Sequence, residues 1–280
     1  MELIVANLTP FTPGGALDEV TLAAHARWLV EAGVDALAPA GTTGEFLYLS
    51  TAERRAAHRV VLSAALDAAA DARVIPCVWD ALPGRAAELA RAAEAEGAAA
   101  VFLPPPLYHA VSEDDVLRWY AAVRDAVDIP VWAYHHPRTH NPLTPALLGR
   151  LFDEVGLEAV KDSSGDPERV RALAAAWPGR VRVGGDKLLG RLSELGPVAG
   201  HVSGMANLYP ALGVAVARGG DDSEWLRRVA VLKAGGGSSV PAMKRALGFG
   251  RRPPIIDGAP GPGLPATGFS EAPPSRDGGA

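Results

Sequence analysis

Short runs of consecutive apolar residues recur along this chain, each followed by a turn and then by a stretch whose apolar positions have helical spacing. The runs are LIVAN (3–7), VDALAP (34–39), VIPCV (74–78), AAVFL (99–103), IPVWA (129–133), LEAV (157–160), VRV (181–183) and VAGHV (198–202). They return roughly every 25–30 residues, and their apolarity is continuous rather than alternating. That pattern belongs to strands covered on both faces, as in parallel sheets.

The intervening stretches carry their own helix punctuation. Ser50 with Glu53 has capping-box spacing, followed by Ala57, Val60, Val61 and Ala64 on one face. Ser112 is a second N-cap candidate, ahead of Val116, Trp119, Tyr120 and Val123. Thr144-Pro145 and Asp166-Pro167 each place a capping side chain before a proline suited to the first turn. Val170, Leu173, Ala174 and Trp177 continue the second of these, and Trp119 and Trp177 read as core aromatics. Gly33 and Gly97 sit where helices must stop.

Eight strands alternating with about eight helices over some 220 residues predict a (β/α)8 barrel. A doubly wound open sheet is the alternative, but NLTPFTPGG after the first run lacks the G-x-G-x-x-G spacing of a dinucleotide turn. The expected organisation is a barrel over 1–220, a short C-terminal helical extension over 221–250 and a proline- and glycine-rich tail over 251–280. The extension has room for two short helices, broken by AGGGSS. The tail has little to bury and is expected to be mobile.

Composition narrows the function classes. The chain has 280 residues, 48% hydrophobic and 21% charged, with a formal net charge of -5. It has no basic block that would suit nucleic acid. A single cysteine, Cys77, excludes an internal disulfide and a cysteine-based zinc site, and VIPCVWD reads as an inert buried strand. MELIVANLTPF lacks the charged start of a signal peptide, and no apolar run reaches the ~18 residues of a membrane span. A cytoplasmic enzyme or binding protein is expected.

A barrel gathers chemistry at the C-terminal ends of its strands. Those ends carry Thr9, GTTGE (41–45), Tyr108, Tyr134, Lys161, GGD (184–186) and SGMAN (203–207). The chain holds 27 lysines and arginines, yet only Lys161, Lys187, Lys233 and Lys244 are lysines. Where arginine is the habitual surface cation, a lysine ending an apolar strand suggests a need for an amine, the prerequisite of a Schiff base. The competing reading pairs Lys161 with Asp162 at the rim. GTTGE offers hydroxyls and accessible backbone N–H groups for a carboxylate or phosphate, or else forms a plain tight turn.

Together these residues resemble the dihydrodipicolinate synthase and N-acetylneuraminate lyase family of pyruvate-dependent class I aldolases. The matching elements are GTTGE with LS and Glu53 following, Tyr134 with its proline three residues on, Lys161, GGD and SGMAN, in the family's order from about Leu3 to Pro254. RALGFGRRPP (245–254) is similar to the segment before the family's last helix. The resemblance implies that Lys161 attacks the ketone of pyruvate or a related 2-oxo acid. It implies that Gly41, Thr42 and Thr43 hold the substrate carboxylate, with Thr43 and Tyr134 in the catalytic set and Tyr134 relaying protons. Tyr108 matches a tyrosine that reaches in from a neighbouring subunit, with His109 the competing candidate. The backbone near Val202 lines the site opposite Lys161. No cofactor or metal is implied, and the partners are pyruvate, an aldehyde and further copies of the chain in a dimer or tetramer.

The stretch VWAYHHPRTHNP (131–142) departs from the family. His135 stands where asparagine is usual, and Arg138 follows Tyr134 by four residues where the synthases have a substrate-binding arginine at five. Tyr134 to Lys161 spans 27 residues, one fewer than in those synthases. Pro137 and Pro142 make the segment a loop, which disfavours metal binding by His135, His136 and His140. His135 and His136 are expected to shape the aldehyde pocket, with His140 on the loop surface. His25 and His58, on predicted helices, are expected to be structural or exposed. A sugar-acid (2-keto-3-deoxy) aldolase is favoured over dihydrodipicolinate synthase proper. A phosphate-binding barrel isomerase using GGD and SGMAN, and a non-catalytic relative, remain as alternatives.

Overall fold

The structure, a computed structural model, describes residues 1–234 and 238–252; the expected tail lies outside them beyond Arg252. Eight parallel strands alternate with helices: β1 (Glu2–Val5), α1 (Glu19–Glu31), β2 (Ala36–Leu37), α2 (Thr51–Ala68), β3 (Arg73–Val74), α3 (Pro83–Ala95), β4 (Val101–Leu103), α4 (Glu113–Arg124), β5 (Val131–His135), α5 (Pro145–Arg150), β6 (Ala159–Asp162), α6 (Pro167–Ala176), β7 (Val181–Gly184) and β8 (Gly200–Ser203). The strands lie in the order β3-β2-β1-β8-β7-β6-β5-β4, and a bridge between Cys77 and Phe102 closes the ring into a (β/α)8 barrel. Helices α7 (Pro210–Ala217), α8 (Ser223–Lys233) and α9 (Val240–Ala246) follow. No described helix is long and apolar enough to cross a membrane.

Local chemistry explains the boundaries. Ser50 and Glu53 form the reciprocal capping box of α2, and Ser112, Thr144 and Asp166 each accept from backbone N–H groups of the helix they open. Gly33 and Gly97 end their helices with φ of 85° and 93°. β2 and β3 are shorter than their apolar runs because Pro39 and Pro76 cannot donate to a ladder. Single bonds from Ile75 N–H to Leu37 O and from Cys77 N–H to Pro39 O carry the edge onward. After β7 the expected α-helix is a 3₁₀ segment, Asp186–Leu195. Its first carbonyl accepts from Trp225 Nε1 at 2.8 Å.

Alternation along each strand divides the core in two. Val5, Leu37, Val101, Leu103, Val131, Val160 and Val183 face the helices, while Ile4, Ala36, Ala38, Ile75, Phe102 and Trp132 fill the barrel. At the N-terminal end of the strands, Glu2 pairs with Arg73 and lies 3.6 Å from Arg182. The Arg182 guanidinium covers the Trp132 ring at 4.3 Å. This ionic layer closes the barrel from below. Cys77 is buried, and burial pushes its thiol up to about 11, which leaves it protonated and unreactive.

His25 and His58 are both enclosed between helix and barrel. His25 Nε2 donates to Asn207 O at 3.2 Å, and His58 bonds the backbone of Cys77. Burial lowers their pKa values from 6.5 to about 4 and about 3. The unfolded chain therefore binds protons that the fold excludes, so stability is full above pH 6.5 and is lost as pH falls toward 4 and then 3. Urea unfolding across pH 7 to 4 should show a loss of about 1 kcal/mol per pH unit for each histidine in its window. His58→Gln should flatten that slope; an unchanged slope would mean that His58 is not buried neutral.

Candidate active site

Lys161 is the penultimate residue of β6, and its side chain points into the barrel, where Nζ lies 4.0 Å from the centre of the Tyr134 ring and 4.8 Å from that of Phe102. The residue is 5% exposed. Its neighbour Asp162 points the other way, as alternation requires. Asp162 is engaged there by Arg169 Nε at 2.8 Å and by Ser164 N–H and Oγ at 2.9 and 2.5 Å. The pairing of Lys161 with Asp162 does not form, and among the described residues no carboxylate reaches Lys161.

Tyr134 sits opposite Lys161 in the β5–β6 register, and its hydroxyl is 3.1 Å from Thr42 Oγ1. The turn that presents Thr42 and Thr43 is flanked by Ala40 and Glu45, the non-glycine residues with left-handed φ among those described, at 52° and 62°. Such strain persists only where the surroundings over-determine it. Here Thr9 Oγ1 donates to Gly44 O at 2.7 Å, and a side chain at Gly44 would strike Ala40 N and Asn7 O, both 2.9 Å from its Cβ. Gly41 faces the Phe102 ring, and Thr43 approaches Gly204 beyond β8. Val202 belongs to the same interior layer as Tyr134.

A buried ion pair holds this turn from behind. Lys244 of α9 donates to Glu45, and Lys244 Nζ also lies 4.3 Å over the Phe11 ring. Both residues are nearly inaccessible to solvent, and burial lowers the Lys244 pKa. Sequence spacing gave no sign of this pair, whose members are 199 positions apart.

Above Tyr134 opens a cavity of about 660 Å³ whose wall includes Thr42, Phe46, Trp79, Trp119, Tyr134 and His136. Trp79 is fixed by Arg54, which donates to its carbonyl and pairs with buried Asp80 at 3.2 Å. The rim is made by two loops tied together through Asn141, another residue that sequence reading missed. Its Nδ2 donates to Pro106 O and His109 O, and its Oδ1 accepts from Val111 N–H. These loops carry Tyr108, His109, Arg138 and His140 to the mouth. Tyr108 is 81% exposed and contacts the rings of His109 and His140, so within one copy it does not reach Lys161.

His135 needs correction. β5 runs through His135, so alternation turns its ring toward the helices, where Nδ1 accepts from Leu143 N–H at 3.3 Å. His136 takes the pocket side instead, 5.8 Å from the Tyr134 ring. His140, expected on the loop surface, is exposed and also borders the cavity mouth. Among the described residues no three histidine, cysteine or acidic side chains gather as metal ligands.

The loops after β7 and β8 do not form a phosphate cradle. Asp186 accepts from Ser203 Oγ at 2.6 Å and from Met205 N–H at 3.3 Å, so a buried carboxylate already occupies those donors. A phosphate there would meet like charge. Asn207 then binds Ala6 O and Gly204 O and accepts from Leu8 N–H, which locks β8 to β1.

The model of the dihydrodipicolinate synthetase family matches residues 1–223. A 4-hydroxy-tetrahydrodipicolinate synthase of Alkalilimnicola ehrlichii is 35% identical over 244 residues, covering 82% of this chain and 80% of that protein. YagE, a prophage protein of the dihydrodipicolinic acid synthase family from E. coli K12 solved in complex with pyruvate, superposes with a TM-score of 0.81 at 27% identity, over 91% of this chain and 92% of its own. An N-acetylneuraminate lyase from Mycoplasma synoviae, at 20% identity, shares the fold with a TM-score of 0.80 over 91% and 90% of the two chains.

Removing one partner of a buried ion pair strands the other charge. Glu45→Gln or Lys244→Met should each destabilise the protein by about 3–5 kcal/mol. The double variant should recover part of that loss in a urea-unfolding cycle. Additive losses would show that the two groups do not act as a pair.

Proposed function

Because the chain belongs to the dihydrodipicolinate synthetase family, we propose that it is a Schiff-base lyase that makes or breaks a carbon–carbon bond between pyruvate, or a related 2-oxo acid, and an aldehyde. The observation that carries this reading is the Lys161 amine, packed on the Tyr134 and Phe102 rings with no carboxylate beside it. The enzyme class, a carbon–carbon lyase, is that of the family.

The chemistry follows from the arrangement. Lys161 Nζ attacks the ketone carbon, whose oxygen leaves as water, and an iminium forms. Loss of a proton from the adjacent methyl carbon gives an enamine, and the iminium nitrogen takes the electron pair. The enamine carbon attacks the aldehyde carbon, and Tyr134 delivers a proton to the aldehyde oxygen. Water then releases the product and restores the amine. Gly41, Thr42 and Thr43 hold the 2-oxo acid carboxylate through backbone and hydroxyl donors, which aims the ketone at Lys161. The Val202 backbone lines the opposite side.

Tyr108, exposed at the mouth, enters the site of a second copy in a homodimer or tetramer and extends the proton relay there. Sedimentation of the purified protein checks that assembly. Arg138 meets the end of the aldehyde furthest from the reacting carbon. A second reading, condensation with an amino-acid semialdehyde, is favoured by the likeness to the Alkalilimnicola synthase and by a cation at this rim. We place the enzyme in the cytoplasm.

Borohydride reduction in the presence of pyruvate should leave a pyruvyl adduct on Lys161, found by peptide mass mapping and absent from Lys161→Ala. No adduct on folded protein would end the Schiff-base reading. Tyr134→Phe should still trap pyruvate but lose about 10²–10⁴-fold in kcat.

A further inference from the structure

Resting on the Schiff-base reading, we propose that the second substrate is an aldehyde with an aromatic or similarly bulky apolar body, oriented by a hydrogen bond from His136 Nε2–H to one of its oxygens. Both parts follow from the wall of the cavity above Tyr134.

The inner wall is carbon. Phe46 and Trp79 meet edge to face at 5.3 Å, and Pro104 and Trp119 continue the surface. Two of the polar atoms nearby are already used, and Trp79 Nε1 is buried in the wall. Trp119 Nε1 donates to Pro104 O at 3.2 Å, and Thr139 Oγ1 donates to His136 O at 3.0 Å. A polyhydroxylated aldehyde would leave the hydroxyls that lie against this inner wall without partners, whereas a flat apolar group fits the edge-to-face rings. The volume of about 660 Å³ is ample for such a body beside a 2-oxo acid. Arg54 and Asp80 fix Trp79 from behind, so the wall is built rather than left open.

His136 supplies the directional contact. The Arg138 backbone N–H donates to His136 Nδ1 at 3.1 Å, which leaves the ring proton on Nε2 and makes that atom a donor. The ring borders the cavity and stands beside Tyr134, so the donor lies near where the aldehyde oxygen takes its proton. The groups facing it are cations, Arg138 and Lys161, with the imidazole of His135 behind. Burial and these charges hold its pKa at about 4, so the ring is neutral at physiological pH. The neutral imidazole orients an oxygen beside Tyr134, and the cation Arg138 lies apart from it at the cavity mouth.

The test begins with borohydride trapping of pyruvate, then compares kcat/KM for benzaldehyde, D-glyceraldehyde and aspartate semialdehyde with pyruvate as co-substrate. Benzaldehyde should exceed the other two by tenfold or more. His136→Leu should lower kcat/KM for benzaldehyde at least tenfold. His136→Gln, whose amide N–H can stand in for Nε2–H, should restore most of it. Both variants should still trap pyruvate on Lys161, which reports a folded site. Trapping together with a preference for glyceraldehyde or the semialdehyde would overturn this proposal and leave the Schiff-base reading intact. An unaffected His136→Leu would overturn the role of the imidazole. Failure to trap pyruvate at all would remove both.

Discussion

A carboxylate and an ammonium, both withdrawn from water, hold the active end of this barrel together. Glu45 ends the turn that presents Thr42 and Thr43, and Lys244 comes from α9, beyond the last strand. Neither charge is tolerable there alone. The turn is strained at both ends, at Ala40 and Glu45, and a strained turn needs a restraint that costs more to break than the strain releases. The pair supplies it. Thr42 is thereby set against the Tyr134 hydroxyl, and Tyr134 in turn covers Lys161. The helical extension after the barrel is therefore part of the site's scaffold.

The same ordering shows in how the charges are sorted. Along β6, one residue faces inward as an amine on aromatic rings, and the next faces outward as a carboxylate on Arg169. Strand alternation separates two groups that adjacent sequence positions would suggest are partners. Beyond β7 and β8 the opposite has happened: Asp186 folds back onto Ser203 and Met205 and fills the donors of its own loop. The site thus keeps one cation free of anions and one loop closed to them.

Much of this could be read from the chain, for definite reasons. Continuous apolar runs imply strands covered on both faces, and the capping residues Ser50, Ser112, Thr144 and Asp166 act locally, so their signals survive in sequence. Lys161 stood out because lysine is scarce here. What stayed hidden depends on distant or angular relations. Glu45 and Lys244 lie too far apart in sequence for spacing to connect them. Asn141 works by cross-bracing two loops, which no local pattern records. His135 and His136 are adjacent, and because β5 runs through His135 the alternation of the strand turns that ring to the helix layer and leaves the pocket side to His136, a strand end that the sequence did not mark.

The ionic layer of Glu2, Arg73 and Arg182 under the Trp132 ring also shapes the traffic of reactants. With this layer below, the cavity beside Tyr134 at the other end of the barrel is the approach toward Lys161 that the described residues leave. If both reactants of the proposed reaction use that approach, the partner bound at Lys161 arrives before the one nearer the rim. A barrel open at one end would then set the order of arrivals through a feature that lies on the side away from the proposed chemistry.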